Sequence, residues 1–177
     1  KKMLNKNLVL VTGASSGIGK EISKKLCKEG YEGILTSRSK QRLNSLHIKL
    51  EKLGYKSHVI PCDIRNENDV KNLYKKSLEI GFVSCVVNNA GLGKFSKIQN
   101  ISIEEWDQQI NTNLRGSFLV TREFVQDMIN KKQGKLLFIN SVAGKHGYPF
   151  SAAYVSSKFA LRGLADSLRN ELREHNI

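Results

Sequence analysis

The chain has 177 residues, 40% of them hydrophobic, which suits one packed domain over 1–177 and argues against disorder. No apolar run nears the ~18 residues of a membrane span. The basic start KKMLNKN leads into only a short apolar stretch, too short for a secretory signal. A net charge of +13 raises nucleic-acid binding as a class. The lysines are scattered over helical stretches without interleaved aromatics, so neither a nucleic-acid nor a membrane partner is expected. The charge is read instead as steering anions toward a site. Cys27, Cys62 and Cys85 make an odd number with no C-x-x-C pair, as expected of reduced, buried thiols in a cytoplasmic protein. The histidines lack metal-ligand spacing, so no metal site is expected.

In chain order, an apolar strand is predicted near 8–12 and runs into Gly13, Gly17 and Gly19. A helix at 17–29 follows, with Ile18, Ile22 and Leu26 at helical spacing. Strand, glycine turn and helix form the setting of a dinucleotide pyrophosphate, which needs close backbone approach and a helix N-terminus. The spacing is G-x-x-x-G-x-G rather than the commoner G-x-G-x-x-G. Gly13, Ser15, Ser16, Gly17, Ile18 and Gly19 are the candidate contacts. A second strand near 33–37 ends in Ser37-Arg38, where an acidic residue would otherwise hold an adenosine ribose. A hydroxyl does not repel a 2′-phosphate, and an arginine can bind it with charge-assisted bonds of about 1.5–3 kcal/mol. This predicts NADP(H) as the preferred cofactor, with NAD(H) the alternative; an arginine after a strand can also be an ordinary solvated residue.

Further strands are predicted near 57–61, 83–88 and 135–140, and helices near 40–53, 66–80, 103–130 and 153–175. Such alternation predicts an α/β fold, a Rossmann-type doubly wound parallel sheet with helices on both faces. Ser102 is the expected N-cap of the helix at 103–130. Trp106, Ile110, Leu114 and Phe118 recur every fourth position, as do Leu164, Leu168 and Leu172 after Leu161, and such stripes are read as core.

Tyr154 and Lys158 stand four residues apart on the last predicted helix, hence on one face. A phenol ordinarily titrates near ~10, too high for a proton shuttle at neutral pH. An ammonium about 5 Å away at an effective dielectric of ~20 favours the phenolate by on the order of 3 kcal/mol. Many surface helices carry a Tyr-x-x-x-Lys without function, so the rest of the chain must support the pair.

Together these residues resemble the short-chain dehydrogenase/reductase family. The matches are TGASSGIG at 12–19, Asp63 in PCDI, NNAG at 88–91, Asn113 in NTNL, Ser141 in FINSVAG, and YVSSK at 154–158. The resemblance implies cofactor contacts from Asp63, Ile64, Asn89, Ala90 and Gly91 as well as Tyr154 and Lys158. It also implies four catalytic residues. Tyr154 exchanges a proton with the substrate oxygen, and Lys158 tunes that tyrosine and holds the nicotinamide ribose. Ser141 positions the oxygen. Asn113 interrupts its helix and holds a water. Thr12 braces the turn against NNAG.

The implied activity is hydride transfer between the nicotinamide and a small carbonyl or secondary alcohol. A non-catalytic NADP sensor is the alternative. A 3-oxoacyl-carrier-protein reductase is a further one, disfavoured because KFALRGL replaces the usual Ala-Gly after the lysine. The helices at 103–130 and 153–175 are expected to build a homodimer or homotetramer. A family member would continue past Ile177 into two more strands and a substrate lid, so the C-terminal strands are expected to be missing and the chain partial. Leu92, Gly93 and Lys94, with the loop Val142–Phe150, are what remains of a substrate pocket; His146 and Tyr148 in that loop are substrate contacts or, more often for such residues, ordinary loop and packing residues.

Overall fold

The computed structural model describes residues 7–177; the basic residues 1–6 lie outside the described residues. Five parallel strands form one sheet in the order β3-β2-β1-β4-β5. They are β1 (Leu8–Thr12), β2 (Glu32–Thr36), β3 (Ser57–Val59), β4 (Val83–Asn88) and β5 (Lys135–Phe138). Every residue of β1 and β2 is buried, as in parallel strands covered on both faces.

The pleat of β1 sorts its side chains between two cores. Leu8 and Leu10 join Ile34 and Val86, with Val70 and Leu73 of α3 (Glu67–Ile80) and Val120, Phe124 and Met128 of α5 (Gly116–Lys131). Val9 and Val11 join Leu35 and Val87 on the opposite face, with Cys27 of α1 (Gly17–Lys28) and Leu43, Leu46 and Leu50 of α2 (Lys40–Lys52). Burying each such large aliphatic side chain contributes about 1.5–3 kcal/mol. A one-residue slip of β1 would exchange its two side-chain sets. This is the expected doubly wound α/β sheet.

Capping fixes several helix starts. Ser39 accepts from the Arg42 N–H, Asn66 from the Asn68 and Asp69 N–H groups, and Ser102 from the Glu105 N–H. The strand order reverses about β1 and β4, so their carboxyl ends open a crevice.

The predicted helix at 103–130 is two helices. A π-helical turn at Asn111–Arg115 separates α4 (Ile103–Ile110) from α5. The buried line along these segments is Gln109, Asn113, Ser117, Val120, Phe124 and Met128. The stripe read as core, Trp106 to Phe118, lies beside that line; Phe118 is 42% exposed. The buried line is polar at its first half because it faces a loop with backbone groups to satisfy, not a sheet. In α6 (Ala152–Leu172), Leu161 and Leu172 are buried and Leu164 and Leu168 half-buried. Among the described residues the edge strand β5 pairs only with β4, and Leu137 is 42% exposed.

Candidate active site

A cleft of about 1080 Å³ opens at the carboxyl ends of β1 and β4. Its floor is the glycine turn. Gly13 has φ +66°, and a Cβ there would lie 2.9 Å from the Ala90 Cα. Gly17 has φ +52° with open space before it, so it joins a left-handed backbone to close approach by a ligand. Gly19 lies behind the cleft, where a Cβ would strike the Gly13 carbonyl and the Asn89 amide. Ser16 begins α1 without capping it through its side chain, and α1 has no acid in its first turn. That end therefore offers N–H groups and a positive dipole end to an anion.

Thr12 ties the turn to the strand beside it. Its hydroxyl accepts from the Asn89 and Ala90 N–H groups, both at 3.0 Å, and donates to the Val87 carbonyl at 3.4 Å. Asn89 returns a bond from Nδ2 to the Thr12 carbonyl at 2.9 Å.

The second wall carries Ser37, Arg38, Asp63 and Ile64. Sequence reading missed Arg42 and Arg65 on the same wall. Arg42 sits four residues past Arg38, in the first turn of α2, a spacing that could have flagged it. Among the described residues neither the Arg38 nor the Arg42 guanidinium makes a hydrogen bond or salt bridge. Arg65 instead grips Asp63, with Nε 2.9 and 3.1 Å from its two carboxylate oxygens. That hydrogen bond holds the Asp63 carboxyl below the usual aspartate range. Cys62 also lines the wall, but burial, with help from Asp69 and Asp63, pushes its thiol up to about 12, so it stays protonated. All three cysteines are buried and free.

The far end of the cleft holds Tyr154, Lys158 and Asn140, with Asn89, Ala90, Gly91, Leu92 and Gly93 between. Tyr154 and Lys158 leave α6 on one face, and the ammonium lies 5.8 Å from the phenol ring centroid. Among the described residues nothing hydrogen-bonds the Tyr154 hydroxyl. Lys158 is buried, donates to the Ile139 carbonyl at 2.9 Å, and burial lowers its pKa. Asn140 accepts from the Ser141 N–H and donates to the Lys158 carbonyl, which joins the end of β5 to α6. Ser141, half-buried at the head of the turn Val142–Gly144, accepts from the Ala143 N–H and stands next to the cleft-lining Asn140 without lining the cleft itself.

Asn113 does not line the cleft. Its Oδ1 accepts from the Leu92 N–H, and its Nδ2 donates to the Leu92 carbonyl and the Ser157 hydroxyl. The side chain is thus engaged at both ends, and the main-chain carbonyl lies in the π-helical turn. That carbonyl accepts from Ser117 at 3.2 Å.

Residues 7–177 match the family model described as short chain dehydrogenase. The chain is 32% identical over 180 residues to the sepiapterin reductase of Chlorobaculum tepidum, covering 97% of this chain and 74% of that protein. It is 34% identical over 166 residues to the 3beta-hydroxysteroid dehydrogenase of Mediterraneibacter gnavus, covering 93% of this chain and 60% of that one. A metagenomic short-chain oxidoreductase, crystallised in complex with NADP, superposes with a TM-score of 0.93 at 34% identity, covering 97% of this chain and 79% of that one. The chain belongs to the short-chain dehydrogenase family of NAD(P)-dependent oxidoreductases. No helix among the described residues is long and apolar enough to cross a membrane, and no described group of three or more His, Cys, Asp or Glu could hold a metal ion.

Proposed function

We propose that this chain is an NADP(H)-dependent oxidoreductase acting on a carbonyl or secondary alcohol, with Tyr154 as general acid and base. The observation that carries it is one continuous cleft, with the glycine turn at one end and the unpaired Tyr154 hydroxyl at the other. The glycine cradle and the free cations fit a dinucleotide with a 2′-phosphate. Gly13, Ser15, Ser16, Gly17 and Ile18 would hold the pyrophosphate; Ser37 and Arg38 would hold the 2′-phosphate; Asp63 and Ile64 would hold the adenine. Asn89, Ala90 and Gly91 would line the path to the nicotinamide, whose ribose Lys158 would hold. Gly19 acts by packing. The NADP-bound relative supports the choice of cofactor.

When bound, the reduced cofactor supplies a hydride to the carbonyl carbon. Tyr154 gives its hydroxyl proton to the carbonyl oxygen as the alcohol forms, and reverses this in oxidation. The Lys158 ammonium favours the phenolate left behind. The Ser141 hydroxyl, which accepts from the Ala143 N–H, keeps its own hydrogen to donate and would orient the substrate oxygen. Asn113 acts through Leu92 and its own carbonyl.

Tyr154→Phe tests the assignment. Turnover should fall on the order of 10²–10⁴-fold while NADPH binding is kept. Undiminished turnover would remove Tyr154 as the acid.

The half-exposed apolar face of α4, α5 and α6 supports a homodimer or homotetramer built on those helices. Burying Trp106, Leu114 and Phe118 against a second copy removes from water the apolar stripe that the core does not use.

A further inference from the structure

The loop after β4 brings Phe95 to the mouth of the cleft. Its ring is 64% exposed, yet it is held. The Phe95 and Tyr154 rings meet edge to face, with centroids 5.7 Å apart and planes at 70°. Gly93 makes room for this: a Cβ there would lie 3.1 Å from the Phe95 Cζ and 3.2 Å from the Tyr154 Cδ2. Behind the loop, Asn113 clamps both backbone groups of Leu92 at 2.8 Å. Gln109, 1% exposed, accepts from the Lys94 N–H at 3.0 Å. In front, the Ser96 N–H donates at 2.8 Å to the carbonyl of Phe150. Phe150 takes φ +64°, a conformation disfavoured for a bulky residue and kept only where neighbours hold it.

Four backbone contacts thus pin a loop whose apolar ring stays in water beside the only hydroxyl assigned to proton transfer. An oxygen that meets Tyr154 can carry a substituent within reach of the Phe95 ring, whose centroid lies 5.7 Å from that of Tyr154. We propose that Phe95 determines specificity by presenting an aromatic face to the group on the carbonyl carbon, so that aryl carbonyls are selected over saturated ones of equal size. This rests on the oxidoreductase reading above. An aryl ketone is flat from ring to oxygen, so its ring can pack against Phe95 in an offset or edge-to-face geometry while the oxygen reaches Tyr154. A cyclohexyl ring is thicker and has no quadrupole to match.

The test uses the full-length protein with NADPH and two probes of matched size, acetophenone and cyclohexyl methyl ketone. The readout is the ratio of their kcat/KM values, compared between wild type and Phe95→Leu, so that the intrinsic reactivities of the ketones cancel. The ratio should fall roughly twofold to tenfold in Phe95→Leu, chiefly through the KM for acetophenone, with NADPH affinity unchanged. Phe95→Trp should retain the preference. An unchanged ratio in Phe95→Leu overturns the proposal. If neither ketone turns over, saturation-transfer NMR of both ketones on the NADP-bound protein compares their binding instead, and absent or equal binding overturns the proposal too. NADPH titration of the wild type separates the two readings: failure there sinks the cofactor site, whereas an unchanged ratio with NADPH bound sinks only the role of Phe95.

Discussion

Lys158 is a cation 6% exposed, and the Ile139 carbonyl is its hydrogen-bond partner. Burial depresses its pKa below the ordinary lysine value of ~10.4. Between the two values the unfolded chain binds more protons than the folded one, so this lysine makes stability rise with pH across that window. Below the window the full burial cost remains. In Lys158→Met this rise should be absent: stability relative to wild type should decline as pH climbs toward ~10, read from denaturant melts, and turnover at pH 7 should fall at least ~10²-fold. A parallel pH dependence in both proteins would mean that the ammonium is not desolvated. The pairing of Tyr154 with Lys158 was legible because helical spacing alone fixes it. Gln109 and Phe95 were not, because what each does depends on a neighbour far away in sequence. Lys94 lies fifteen residues from Gln109, and Tyr154 lies fifty-nine from Phe95.

At the scale of elements, the strands and most helices follow from pattern. The continuous apolar run of β1 and the alternation of elements give a parallel sheet, and Ser102 caps where it was expected. Periodicity read 103–130 as one helix, since NTNLR has neither proline nor an interior glycine to break it; only the family resemblance placed an interruption at Asn113, where the π-helical turn lies. The π-helical turn is held instead by tertiary bonds from Asn113 to Leu92 and Ser157. The same dependence on contact appears at Gly19, whose role is packing against Gly13 and Asn89. Gly19→Ala should destabilise the fold by about 1–3 kcal/mol through overpacking and weaken NADPH binding by displacing the turn. Denaturant melts and cofactor titration check this. Wild-type values for both would show that the turn has room the structure does not display.

For the whole molecule, the apolar residues left outside the core are what the proposed self-association would bury. Leu114 and Phe118, with Phe159 of α6 45% exposed, stand on helices that pack against one another and present apolar surface outward. Leu114→Asp with Phe118→Asp should lower the mass in light scattering to that of one chain, while NADPH still binds, because the cleft lies on other residues. A monomeric wild type would end the interface proposal.

The cofactor decides the central claim. Parallel titration with NADPH and NADH, followed by nicotinamide fluorescence, should show saturable binding with NADPH clearly tighter. Arg38→Ala with Ser37→Asp should reduce that preference by roughly ten- to a hundredfold, the worth of about 1.5–3 kcal/mol of charge-assisted bonding to the 2′-phosphate. Binding of neither nucleotide, or equal affinity for both in the wild type, would contradict the account.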